Sequence, residues 1–179
     1  MTMQTLDSPQ RYGAVSRLLH WGMAAILAWQ FTGMVLLNTL GKVPITFFFI
    51  GSHSSLGLSL ALLAFLRLLW WAKNAGQRPG QEATLNGRLA SLGHLGLYAL
   101  LVVVPLNGLL IAYGSGKALA WFGLPLWAET GEKVVWMLDL GKALHGVLAW
   151  TLLAMIVGHA SMAIWHRVAL RDKVWGRMV

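Results

Sequence analysis

The chain has 179 residues, is 57% hydrophobic and only 11% charged, and carries a net charge of +8. A soluble domain has about 25% charged residues, so this composition belongs in a membrane, and the length suits one helical bundle. The basic residues sit between apolar segments, which argues against a nucleic-acid partner, and the lack of cysteine excludes disulfides, thiolate-held iron–sulfur clusters and haem attached through C-x-x-C-H.

Residues 1–15 are polar and read as a short tail. The first apolar span covers about 16–37, long enough to cross a bilayer at about 20 residues. It is too long for a signal peptide's apolar region, and Asn38-Thr39-Leu40-Gly41 offers no small-residue cleavage pattern, so it is expected to be retained. Gly41, Lys42 and Pro44 make a turn. The second span covers about 47–71, and a polar loop with Gly76, Pro79 and Gly80 follows over 72–88. The third covers about 89–113, with Pro105 and Gly108 inside it, where a missing backbone donor predicts a kink. Residues 114–141 read as a longer loop, with Trp121-Phe122-Gly123-Leu124-Pro125 lying on the membrane surface. The fourth span covers about 142–166, and a basic tail completes the chain. This is the pattern of an all-α membrane protein, a bundle of four transmembrane helices, and the ten tryptophans, several near span ends, fit interfacial belts.

Charge sets the expected orientation. Arg11, Arg17, Arg67, Lys73, Arg78, Arg88, Arg167, Arg171, Lys173 and Arg177 fall on one side, and Lys42, Lys117, Lys133 and Lys142 on the other. The positive-inside rule then puts both termini in the cytoplasm.

Each histidine thereby acquires a depth. His53 and His145 fall at the outer level. His20, His94 and His159 fall at the inner level, with His166 at the water boundary beside Arg167. His145 and His159 are fourteen residues apart, which is about 21 Å and just under four turns, so they share a helix face. An ionisable residue inside an apolar span is a functional-site hypothesis by default. Two levels of opposed neutral imidazoles suit haem iron clamped from both sides. Zinc usually takes four ligands in a tight tetrahedron, which fits less well. Packing histidines in a non-redox scaffold are the plain alternative. Gly57, Gly93, Gly96, Gly141 and Gly158 would leave room for a macrocycle. Lys142 at the outer level, and Arg17, Arg67 and Arg88 at the inner one, are candidate partners for propionates. Asn107 reads as an interhelical hydrogen-bond donor rather than a ligand. At the inner level these residues leave His20 and His94 as alternatives.

Several stretches together resemble the prokaryotic cytochrome b561 family of four-helix di-haem cytochromes of the bacterial inner membrane. They are Arg17-Leu18-Leu19-His20-Trp21, then His53 with Arg67 further along, then Leu92-Gly93-His94-Leu95 with Tyr98 and Pro105/Gly108, and finally Lys142-x-x-His145 with His159. The resemblance covers nearly the whole chain. It implies two non-covalent b-type haems, the outer on His53 and His145 and the inner on His20 and His159. His94 then becomes a residue beside the inner haem or the quinone. The resemblance also implies electron transfer between a small periplasmic donor, with superoxide as one donor class, and ubiquinone, which would make the protein a quinone-reducing oxidoreductase. The same fold occurs as cytochrome b subunits that relay electrons for a hydrogenase or dehydrogenase, so a partner oxidoreductase subunit is the rival expectation.

Overall fold

The computed structural model describes residues 4–80 and 84–179. Its helices are α1 (Ala14–Leu40), α2 (Pro44–Ile50), α3 (His53–Asn74), α4 (Leu85–Gly114) and α5 (Val135–Trp165). A two-stranded hairpin, β1 (Leu119–Trp121) and β2 (Leu124–Trp127), lies between α4 and α5. Among the described residues, four helical segments are long and apolar enough to cross a membrane. Leu18, Phe65, Leu95 and Val147 are exposed on their outer faces, as lipid-facing residues are. The buried interior is small, formed by Met23, Leu60, Ala64, Leu101 and Leu152.

The helices outrun the apolar spans, because hydropathy marks what lies in hydrocarbon and capping decides where a helix stops. α1 continues to Leu40, where Gly41 (φ 72°) turns the chain and returns its N–H to Leu37. α4 starts at Leu85, four residues before the span expected at 89, because Thr84 caps it by accepting from Gly87 N. α5 starts at Val135 rather than 142. α4 runs through Pro105 without a break.

Two expectations are corrected. The second span is not one helix over 47–71. It breaks at Gly51–Ser52, so the short α2 precedes α3, and His53 is the first residue of α3. Ser52 holds the break by accepting from Trp29 Nε1 (3.0 Å) and donating to Phe49 O (3.1 Å). The stretch 114–141 is not simply a surface loop. Leu119 pairs with Trp127 and Trp121 with Leu124, across a turn at Phe122 and Gly123 where both φ angles are positive, 48° and 89°. Positive φ at both central residues is what a tight hairpin turn needs to match strand twist. The hairpin docks on α3. Trp121 Nε1 donates to Ser59 Oγ (3.0 Å) and Phe122 N to Ser55 Oγ (3.1 Å).

The N-terminal tail is built into the fold. Asp7 is 2% exposed, accepts from Gly13 N (2.8 Å) and pairs with Arg78 Nε (3.0 Å). Gly13 passes too close to the Thr5 and Leu6 backbone to carry a side chain. Tyr12 N donates to Arg177 O (3.0 Å), Trp21 Nε1 to Met178 O (3.0 Å) and Arg11 to Val179 O. The N-terminal tail, the start of the α3–α4 loop and the C-terminal tail therefore meet at one end of the bundle.

Breaking the buried pair tests that closure. Arg78→Ala leaves the Asp7 carboxylate buried without its partner, a change that costs about 3–5 kcal/mol in comparable pairs. The N-terminal tail should detach, and trypsin should cut after Arg11 at least about tenfold faster, while Lys133→Ala at the opposite end leaves the rate unchanged.

Candidate functional site

Two levels of histidine lie between the helices. At the level farther from the chain ends, the one expected to be outer, His53 of α3 faces His145 of α5, with ring centres 6.1 Å apart and planes at 76°. Gln30 of α1 is buried beside them, and its Nε2 donates to His53 O (2.9 Å). His145 Nδ1 and Gln30 Oε1 are buried without a hydrogen-bond partner. The surrounding cavity is lined by Gln30, His53, Gly57, Pro105, His145 and Gly146, and otherwise by apolar side chains such as Leu60, Leu101 and Leu152.

At the inner level His20 of α1, His94 of α4 and His159 of α5 come together. The His20–His159 ring centres are 6.2 Å apart with planes at 71°, and the His94–His159 centres are 5.3 Å apart. His20 Nδ1 is buried and unpartnered, as is Nε of Arg17, one turn away. Arg67 of α3 lies over the Tyr98 ring at 5.0 Å and is close enough to act electrostatically on all three inner histidines.

This arrangement fits a metal held between opposed rings. Two imidazoles that hold one metal between them, each nitrogen about 2 Å from it, would have ring centres a little over about 6 Å apart. The His53–His145 and His20–His159 pairs have that spacing. His94–His159 is closer, at 5.3 Å with planes at 73°. Helix packing agrees. Among the described residues, α4 packs on α5, α3 on α4, and α1 on α2 and α3. The pairs that carry the opposed rings, α1 with α5 and α3 with α5, are not among the closely packed ones. The histidines span gaps that the other contacts hold open.

The glycines divide into two groups. At Gly93 and Gly158 a side chain would meet nothing within 4 Å, and at Gly57 only Gln30 Nε2 at 3.8 Å. Gly146, which the sequence did not single out, is equally open. Gly96 and Gly141 do not leave room for a macrocycle, contrary to expectation. A Cβ at Gly96 would lie 2.7 Å from Met155 Cε, and one at Gly141 would lie 2.5 Å from Ile111 Cγ1. These two are close-packing residues between α4 and α5. Asn107 is buried between the same helices, and its Oδ1 has no hydrogen-bond partner. Lys142 is exposed one turn before His145, and Arg88 is exposed near the start of α4. His166 stands apart from both levels and pairs with Asp172.

Sequence reasoning passed over Gln30. Its signal was available, since an amide in the middle of the first apolar span is as conspicuous as a histidine there. The hairpin contacts to Ser55 and Ser59 had no comparable signal, because a serine within a helix says nothing about a loop sixty residues away.

The prokaryotic cytochrome b561 family matches residues 11–179. Cytochrome b561 homolog 2 of Escherichia coli (strain K12) is 31% identical over 189 residues, covering 99% of this chain and 95% of that protein. A protein of Yersinia pestis named "Probable superoxide oxidase CybB" is 29% identical over 129 residues, covering 71% of this chain and 72% of that one. The chain belongs to the prokaryotic cytochrome b561 family, which implies a multi-pass bacterial membrane protein that binds b-type haem.

The open glycines give a steric test. Gly57→Leu has space in the protein alone, yet it fills the outer cavity. The variant should insert and fold, but retain about half the haem of the unaltered protein in a pyridine haemochrome assay.

Proposed function

We propose that this member of the cytochrome b561 family holds two b-type haems and passes electrons across the bacterial inner membrane from a periplasmic donor to quinone. The observation that carries this reading is the pair of opposed histidine couples, 6.1 Å and 6.2 Å between ring centres, at two depths. His53 and His145 would hold the haem at the outer level, and His20 and His159 the haem at the inner level. When bound, b-type haem supplies one-electron redox chemistry. The protein's own residues hold the iron, exclude water and place charge. Arg17 and Arg67 would pair with the inner propionates, for which the unpartnered Arg17 Nε offers a donor, and Lys142 would serve the outer ones.

Superoxide is the donor that the relative from Yersinia pestis suggests by its name. Each superoxide yields one electron and becomes dioxygen. Two such oxidations, with two protons, reduce one ubiquinone to ubiquinol. The lysines Lys117, Lys133 and Lys142 at the outer end attract a small anion. Both chain ends are cytoplasmic in this reading, which is supported by their meeting at the end that carries most of the arginines.

Stopped-flow mixing with superoxide, with and without a soluble quinone, tests the whole reading. Haem reduction within the mixing experiment, followed by reoxidation only when quinone is present, is expected. His145→Ala should lose the outer haem alone and abolish reduction by superoxide. His159→Ala should lose the inner haem alone and leave the outer one reducible. Haem that stays oxidised in the unaltered protein would exclude superoxide as donor. Purification with a stoichiometric large subunit would favour the relay role instead.

His94 has a separate role. Its ring lies 5.3 Å from His159, closer than the His20 ring does. There it can donate a hydrogen bond to a propionate or a quinone carbonyl, and move a proton as quinone is reduced. His94→Ala should keep both haems low-spin and slow quinone reduction by about 100-fold. A five-coordinate, high-spin spectrum in that variant would instead make His94 an axial ligand.

A further inference from the structure

We infer that the end of the bundle carrying both chain ends binds the phosphate of an anionic lipid headgroup, in a basic pocket walled by residues 10–11 and 167–176. The pocket has a volume of about 570 Å³ and is lined by Gln10, Arg11, Arg167, Arg171, Lys173 and Trp175, with Asp172 and Gly176. It exists because α5 ends in a wide π-type turn over His166–Leu170, after which Arg171 adopts a left-handed conformation (φ 51°). The chain then doubles back, and residues 172–176 become a wall facing Arg11.

Four cations and one carboxylate border this space, and of the cations Arg11 also donates to Val179 O. The carboxylate does not neutralise them, because Asp172 is turned to other partners. It pairs with His166 Nδ1 and accepts from Val174 N at 2.9 Å. The His166 hydrogen bond holds the Asp172 carboxyl below the usual carboxylate range, so it stays ionised and engaged there. Among the described residues, neither Arg171 nor Lys173 has an acidic partner. Arg167 lies over the Trp175 ring at 5.0 Å, and Trp175 Nε1 is buried without an acceptor. The Trp175 indole N–H has no acceptor, and the guanidinium and ammonium groups that line the pocket together with this side chain call for an anion with several acceptor oxygens. A phosphate supplies it, through paired N–H bonds from arginine and a point contact from lysine.

The rim distinguishes a lipid from a free phosphate. Trp165, Val168 and Leu170, which flank the pocket residue Arg167 and precede Arg171 in the chain, are all more than half exposed. Apolar side chains there suit acyl chains, and a soluble anion has no use for them. Basic pockets at the ends of transmembrane helices bind anionic headgroups by this combination.

The test uses the haem-loaded protein in mild detergent, with bound lipid counted by native mass spectrometry. Phosphatidylglycerol should be retained about tenfold more than phosphatidylcholine, and the double variant Arg171→Asn with Lys173→Gln should remove that preference. Asparagine is chosen because it tolerates the left-handed conformation at 171. Lys117→Gln with Lys133→Gln, at the opposite end, should leave retention unchanged. Trp175→Phe, which removes only the indole donor, should weaken retention severalfold, and it stands as an independent test should the double variant fold poorly. The inference is overturned if phosphatidylcholine is retained equally, if phosphatidylglycerol binding survives both sets of pocket substitutions, or if millimolar inorganic phosphate displaces the lipid, which would make the site one for free phosphate.

Discussion

A neutral imidazole in a low-dielectric interior must find a partner for its ring nitrogens, because an unpaired polar group there costs roughly 2–7 kcal/mol. This constraint governs the bundle. His20 and His145 each bury a ring nitrogen that no protein group satisfies. The fold has not removed the cost by rotating them to the surface. It keeps them opposite His159 and His53, across the two helix pairs that do not pack closely. The remaining contacts follow from holding those gaps. α4 acts as a spine that touches α3 on one side and α5 on the other, and α1 leans on α2 and α3.

Glycine does opposite jobs in this scheme. Where helices must touch, it brings backbones together. Gly33 admits Phe49, Gly114 admits Met137 and Leu138, and Gly141 admits Ile111. Without a hydrophobic force between helices in lipid, such close contacts supply much of the association energy. Where helices must stay apart, glycine keeps a wall flat. Gly57, Gly146 and Gly158 face open space. Composition cannot tell these roles apart, which is why Gly96 and Gly141 were assigned to the wrong one.

The four spans and the two histidine levels were legible because each rests on a strong local signal. Twenty apolar residues can only be a helix in lipid, and a histidine among them stands out. Depth could be read because helical rise is fixed, so His145 and His159 were placed before any packing was known. Three features were not legible, and each depends on residues far apart in the chain. The break before His53 is held by Trp29, twenty-three residues earlier. The burial of Asp7 is made by Arg78. The seat of the hairpin is made by two serines on α3. Polar tails and loops carry little periodicity, so their tertiary partners leave no mark in the local sequence.

The two ends of the bundle are closed by different devices, and the difference bears on the two histidine levels. The end with the chain termini is fastened by a buried ion pair and by backbone carbonyls of the C-terminal tail. Its histidines, His20, His94 and His159, lie within long helices, so their positions follow from helix packing alone. The opposite end is fastened by hydroxyls and indoles, each bond contributing only about 1 kcal/mol. There His53 opens α3, where the chain has just turned. Its backbone is held by Gln30 on its carbonyl, by Trp29 on Ser52 and by Phe122 on Ser55. The last of these reaches it from a hairpin whose turn keeps a non-glycine residue in the left-handed region, at a cost of about 1–2 kcal/mol. The geometry of the outer pair therefore depends on a loop as well as on the bundle. Of the two levels, the outer one is where small changes in a connecting segment reach the opposed rings.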